Sequence, residues 1–271
     1  MHQLKAIIFD VDGTLANTEE THRRAFNAAF DEFKLDFNWS EQEYAKLLCI
    51  SGGRERIHAF LKSLEFDPRG DISLRELSRR IHVRKSEIYR DKLVKGHVGL
   101  RSGVRRLLDE ARDRNIPLGI ATATSTANVE TLLFAELGRN ALSRFDVVVT
   151  SDIVADKKPS PVVYQFAMAE LGLVPQECIA IEDTSNGNRS AIAAGMKTVI
   201  TTHAFTTDDD FSGASLVLNQ LGEPDNPFTV ESGMTGDSTF VDTALLERLI
   251  NQDTTEKDSE MWEELPAIIA K

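Results

Sequence analysis

A chain of 271 residues, 41% apolar and 27% charged, has the composition of a globular protein with one large or two modest cores. Lys and Arg total 31 against 43 Asp and Glu, and the net charge of −12 argues against a nucleic-acid binder that works through a broadly basic surface. No window approaches the ~20 apolar residues that span a bilayer, and two distant cysteines, Cys49 and Cys178, give neither a disulfide framework nor a metal knuckle.

The chain enters an apolar run, Leu4 to Phe9, almost at once, which leaves no space for a leader. A cytoplasmic protein is therefore expected, or a stromal one whose transit peptide has been removed. That first run is followed by the turn signal Asp12-Gly13 and reads as a buried strand. From Thr18 to about Lys95 the spacing is helical (Ala25, Phe26, Ala29, Phe30, Phe33, then Tyr44, Leu47, Leu48), with breaks at Gly52-Gly53 and Pro68. After Gly96 the pattern alternates. Helices are expected over 104–114, 128–137, 162–171 and 186–194, and strands over 117–121, 146–150, 179–181 and 198–201. Such alternation implies an α/β fold with a parallel sheet and right-handed crossovers, here with a helical block inserted after the first strand. The expected division is a core of 1–16 and 97–222, a helical cap of 17–96 and an acidic C-terminal extension of 223–271. In the extension, 241–250 and 261–270 read as short amphipathic helices. A last strand over 214–218 precedes it, and the polar, turn-rich stretch 222–238 between strand and helices is open to packing on the core, binding a basic partner or partial disorder.

Charge divides the chain a little earlier, at residue 205. Residues 1–205 hold 28 basic and 28 acidic side chains, whereas 206–271 hold 15 acidic and 3 basic ones, so the acidity reads as that of an appendage. Within the neutral part, 69–95 carries nine Lys and Arg against four acids. This is either a solvated helix face or an electrostatic funnel for an anion.

In a parallel sheet, ligands bind beyond the carboxyl ends of the strands. Four polar clusters fall there: Asp10-Val11-Asp12-Gly13-Thr14, Thr122-Ala123-Thr124, Lys157-Lys158-Pro159 and Glu182-Asp183. Strand periodicity puts Asp10 and Asp12 on one side of the chain, and Glu182 with Asp183 brings the acids in one crevice to four. Carboxylates so crowded call for a hard divalent cation, and Mg2+ suits a site that also takes phosphate oxygens, with Lys158 as a second positive charge.

With the stretches FDVDGT, IATAT, KKPSP and IEDTSNG, residues 4–205 resemble the haloacid dehalogenase (HAD) superfamily of phosphotransferases. The resemblance implies a Rossmann-like core with an inserted helical cap. It makes Asp10 the nucleophile and Asp12 the general acid and base, and Thr122 with the Ala123 amide the phosphoryl cradle beside Thr124. Lys158 becomes the clamp, in preference to Lys157, and Mg2+ is held by Asp10, Asp12 (through its carbonyl), Glu182 and Asp183. An acid two residues after the nucleophile favours a phosphatase or mutase over a transport ATPase.

The runs DVDGTLANTEETHRRAF and SGGRERI extend the resemblance to the CbbY branch, phosphatases of xylulose 1,5-bisphosphate that serve carbon fixation. It implies that Arg54, beside Gly53, and Lys85 hold the distal phosphate, and that Glu19 and His22 line the gap between core and cap. Asn17, in the place of a carboxylate common in relatives, is expected to bind substrate, since a neutral amide still hydrogen-bonds sugar hydroxyls although an acceptor-only role is lost. The expected partner is a small phosphorylated sugar, with no nucleic acid and no membrane, and the expected state is a monomer. The alternatives are a β-phosphoglucomutase-like mutase, a phosphatase of phosphoglycolate or another sugar phosphate, and a phospho-receiver domain. A receiver would carry no 80-residue insert and would have no use for Asp12.

Overall fold

The computed structural model describes residues 2–68, 71–96 and 98–252. Among the described residues, seven strands form one sheet in the order β3-β2-β1-β4-β5-β6-β7. They are β1 (Ala6–Phe9), β2 (Leu118–Ala121), β3 (Val147–Val149), β4 (Cys178–Glu182), β5 (Lys197–Thr201), β6 (Leu216–Leu218) and β7 (Val230–Gly233). The first six are parallel, and β7 closes one edge antiparallel to β6. The central strand β1 is apolar on both faces because both are covered. Ile7 and Phe9 face one core cluster, with Leu107, Leu108 and Leu245, while Ala6 and Ile8 face the other, with Tyr164, Ala167 and Ala191.

Between β1 and β2 lie α1 (Glu19–Glu32), α2 (Glu41–Leu47), α3 (Gly53–Ser63) and α4 (Leu74–Lys95), followed by α5 (Val104–Asp113). The first four enclose a separate aromatic core of Phe26, Phe30, Trp39, Tyr44, Ile57, Leu61 and Ile81. Local signals set their ends: Ser40 and Glu43 form a capping box at α2, and the Ser73 hydroxyl accepts from the Glu76 amide at α4. The remaining helices are α6 (Thr126–Leu137), α7 (Val162–Leu171), α8 (Ser185–Ala193) and α9 (Thr243–Asn251). Both connections to the insert cross at one point, where Ala16 bridges Leu100 and the Arg101 amide donates to Leu15 O.

The expected helices and strands of the alternating region are found within a residue or two. The acidic stretch differs from expectation. Residues 223–251 are no appendage, because β7 extends the sheet and α9 buries Leu245, Leu246 and Leu249 in the main core. Its charges lie on outward faces while its apolar stripe points inward, which a count of charges cannot distinguish. The helix expected over 261–270 lies outside the described residues.

Candidate active site

Each acidic cluster is carried to the same crevice by the strand before it. Asp10 follows β1 and is buried, while Glu182 ends β4 and Asp183 follows, both with no exposed surface. One carboxylate oxygen from each of Asp10, Glu182 and Asp183 lies within 4.8 Å of the others. Lys158 Nζ reaches Asp10 Oδ1 at 2.6 Å and also contacts Glu182 Oε1, to which the Tyr164 hydroxyl donates at 2.6 Å. Burial, then the neighbouring Glu182 and Asp183, raise the Asp10 carboxyl well above the ordinary range in spite of Lys158. Burial likewise raises Asp183, partly offset by His203. Burial works against the Lys158 ammonium, but Asp10 and Glu182 prevail and hold it charged.

Three buried carboxylates facing one ammonium leave an excess of negative charge and an all-oxygen donor set, and this fits a hard divalent cation such as Mg2+. Glycines make the space: φ of Gly13 is +84°, and a Cβ there would collide with Asp183 Oδ2, as one on Gly187 would with Glu182.

The Asp12 carboxylate does not join this group. It turns toward α1 and α4, where Oδ1 accepts from the Thr18 hydroxyl at 2.7 Å and the Tyr89 hydroxyl at 3.2 Å and faces His22 Nε2 at 2.9 Å. Burial favours its neutral form, but His22 and the Thr18 hydrogen bond outweigh that and hold the carboxyl far below the ordinary range. The crevice therefore collects three acids, and the fourth is engaged from the helical side. His22 Nδ1 lies 2.5 Å from Lys85 Nζ, and the His22 and Tyr89 rings stack at 3.9 Å. Burial pulls the Lys85 ammonium down to about 7, with Asp12 opposing.

A cleft of about 330 Å³ joins the two sides. Asp10, Asp12, Thr122, Ala123, Thr124 and Lys158 line it from the core, and Glu19, His22, Gly53, Arg54 and Lys85 from the helical insert. Lys157, Arg56 and Arg79 add further basic groups, and His82, which burial pulls down to about 3, lines it as a neutral imidazole. Asn17 is exposed and outside this lining. It sits between the buried Ala16 and Thr18, whose amide donates to Ala16 O, and so its side chain turns outward. The basic stretch contributes less than its charge implies. Of its described members only Arg79 and Lys85 line the cleft, while Arg80 pairs with Glu76 and Arg84 with Glu32 and Glu87.

A family model for haloacid dehalogenase-like hydrolases matches residues 7–201. The chain belongs to this family. Among HAD-like proteins it is 42% identical over 224 residues to the plasmid-encoded CbbY of Cupriavidus necator, covering 83% of this chain and 88% of that one. It is 44% identical over 219 residues to CbbY of Rhodobacter capsulatus, covering 81% and 94%. A crystal structure of a CbbY mutant from Rhodobacter sphaeroides in complex with xylulose-(1,5)bisphosphate matches with a TM-score of 0.75 at 40% identity, over 80% of this chain and 95% of that chain. Among the described residues, no helix is long and apolar enough to cross a membrane.

Two residues of this HAD-like site carry no sequence motif. His203, just after β5, places Nε2 2.8 Å from Asp183 Oδ2. Arg101 is buried and donates to the carbonyls of Gly13, Thr201, Thr202 and Asn219. Neither role is visible along the chain, since the partners converge only when the sheet forms.

Proposed function

We propose that this HAD-like protein is a Mg2+-dependent phosphatase of a sugar bisphosphate, with xylulose 1,5-bisphosphate as substrate, acting through an aspartyl phosphate on Asp10. The observation that carries this reading is the separation of two carboxylates. Asp10 sits among the metal-binding oxygens and Lys158, and Asp12, two residues on, faces the helical insert, which we take as a cap over the substrate.

Asp10, Glu182 and Asp183, with the Asp12 carbonyl, would hold Mg2+, which supplies positive charge to the transferring phosphoryl group. An Asp10 oxygen attacks phosphorus, held in line by Lys158 and the Thr122-Ala123 turn, and the P–O bond to the sugar breaks. Asp12 donates a proton to the departing sugar oxygen. Water then attacks the phosphorus of the acyl phosphate, Asp12 takes its proton, and the bond to Asp10 breaks to restore the free carboxylate. The His22 contact favours the ionised form of Asp12 and so suits the second step. In the first step Asp12 must carry a proton, and closure on substrate would have to weaken that contact.

Arg54 and Lys85 line the cleft from the helical insert and suit a second phosphate. The likeness to CbbY and to its complex with xylulose-(1,5)bisphosphate supports that choice of substrate. We propose further that the protein acts as a monomer in the cytoplasm.

The test is phosphate release from xylulose 1,5-bisphosphate, ribulose 1,5-bisphosphate and β-glucose 1-phosphate, with and without Mg2+. Preferential release from the first supports the reading. Isomerisation of β-glucose 1-phosphate without net release would replace it with a mutase.

A further inference from the structure

We infer that His203 is a positioning residue for the metal-binding carboxylate of Asp183, and that Phe205 ties it to the helical insert, so that cap packing and metal affinity are coupled. This rests on the reading of Asp183 as a metal ligand.

The hydrogen bonds fix the direction of the His203 contact. The Phe205 amide donates to His203 Nδ1 at 3.2 Å, which makes Nδ1 the acceptor and leaves the proton on Nε2. Nε2–H then donates to Asp183 Oδ2 at 2.8 Å, while the Thr14 hydroxyl donates to Oδ1 at 2.8 Å. Each Asp183 oxygen is thus held by one side chain, and the carboxylate cannot rotate without losing one of them. Thr206 secures the turn from behind, its hydroxyl accepting from the His203 amide at 3.1 Å and its amide donating to His203 O at 2.8 Å. Gly13 provides the room, since a Cβ there would lie 2.8 Å from His203 Nε2.

The same turn reaches the other body of the cleft. Phe205 packs against the aromatic core of α1–α4, its ring 5.7 Å from that of Tyr44 and edge-on to it. The Tyr44 hydroxyl donates to Glu19 Oε2 at 2.6 Å, and Arg56 donates to the Tyr44 oxygen. From Asp183 the path runs through His203 and Phe205 to Tyr44 and Glu19, at the first turn of α1. Groups that orient a ligating carboxylate typically change metal affinity by about 10- to 100-fold when removed. Packing contacts between two bodies couple more weakly, at about 2- to 30-fold.

The experiment is Mn2+ binding to the full chain, read by electron paramagnetic resonance without substrate, for wild type, His203→Ala, His203→Gln and Phe205→Ala. His203→Ala is expected to weaken binding by about 10-fold or more. His203→Gln, which returns an N–H at the Nε2 position, should recover most of it, and it decides the question if the alanine variant does not fold. Phe205→Ala should weaken Mn2+ by about 2- to 30-fold with an unchanged circular dichroism spectrum. Wild-type affinity in both His203 variants would overturn the positioning role, and wild-type affinity in Phe205→Ala would overturn the link to the insert. Failure of the wild type itself to bind Mn2+ would instead reject the metal-site reading beneath.

Discussion

Asp10 and Asp12 are two residues apart, yet their carboxylates answer to opposite walls of the cleft. Lys158 of the core holds Asp10 at 2.6 Å, and His22 of the insert faces Asp12 at 2.9 Å. The proposed function gives the two acids different work, and each can be removed separately.

Asp10→Asn should lose at least about 10³-fold in turnover, because the amide cannot form the acyl phosphate. Asp10 makes its main contact with Lys158, so the fold should survive. Unchanged circular dichroism together with near-wild-type phosphate release would reject Asp10 as nucleophile.

Asp12→Asn should cost about 10²- to 10⁴-fold with a sugar phosphate. The loss should be smaller in the phosphorylation step with p-nitrophenyl phosphate, whose leaving group needs no proton. Single-turnover release of p-nitrophenol reads that step alone, and an equal loss on both substrates would remove the general-acid assignment.

Lys85 is buried with its ammonium drawn down to about 7, so the folded protein binds fewer protons there than the unfolded chain between about 7 and the ordinary lysine value. Its burial penalty is therefore full below pH 7 and relaxes as pH rises through that window. Lys85→Met should raise the melting temperature by several degrees at pH 6, with a smaller gain at pH 9, while raising KM for the bisphosphate. A melting temperature that falls at pH 6 would contradict this.

Removal of divalent metal by chelation should abolish phosphate release, and Mg2+ should restore it. Added Mg2+ should also stabilise the fold, by about 2.7 kcal/mol at a hundred times its Kd. Calorimetric scans with and without Mg2+ check this, and identical melting curves would count against the site.

Ending the chain at Gln220 should leave it insoluble or unfolded, because it deletes β7 and α9 and uncovers the core face that receives Leu245, Leu246 and Leu249. A soluble, active product would show that this packing is dispensable.

The convergence of Asp10, Thr122, Lys158 and Glu182-Asp183 was legible because each follows or flanks an apolar run, and a parallel sheet brings such positions to one edge whatever the loops do. Where Asp12 would turn was not legible. Strand periodicity stops at Phe9, and Thr18, His22 and Tyr89 capture the carboxylate from elements that are distant in sequence. The outward turn of Asn17 was not legible either, because it follows Ala16, whose backbone bridges Leu100. His203 and Arg101 had no signal at all, being single residues whose meaning comes from partners up to 118 positions away.

Arg101 places a guanidinium against four carbonyls drawn from the Asp10 loop and the ends of β5 and β6, and its own amide secures Leu15. Both strands of chain that lead to the helical insert are therefore anchored on the sheet side of the Ala16–Leu100 bridge. Asp10, Asp12 and Gly13 thus lie on the sheet side of the bridge, and His22 and Lys85 lie beyond it. The two halves of the cleft belong to segments that meet the sheet through a single backbone crossing, and Arg101 ties that crossing to the ends of β5 and β6.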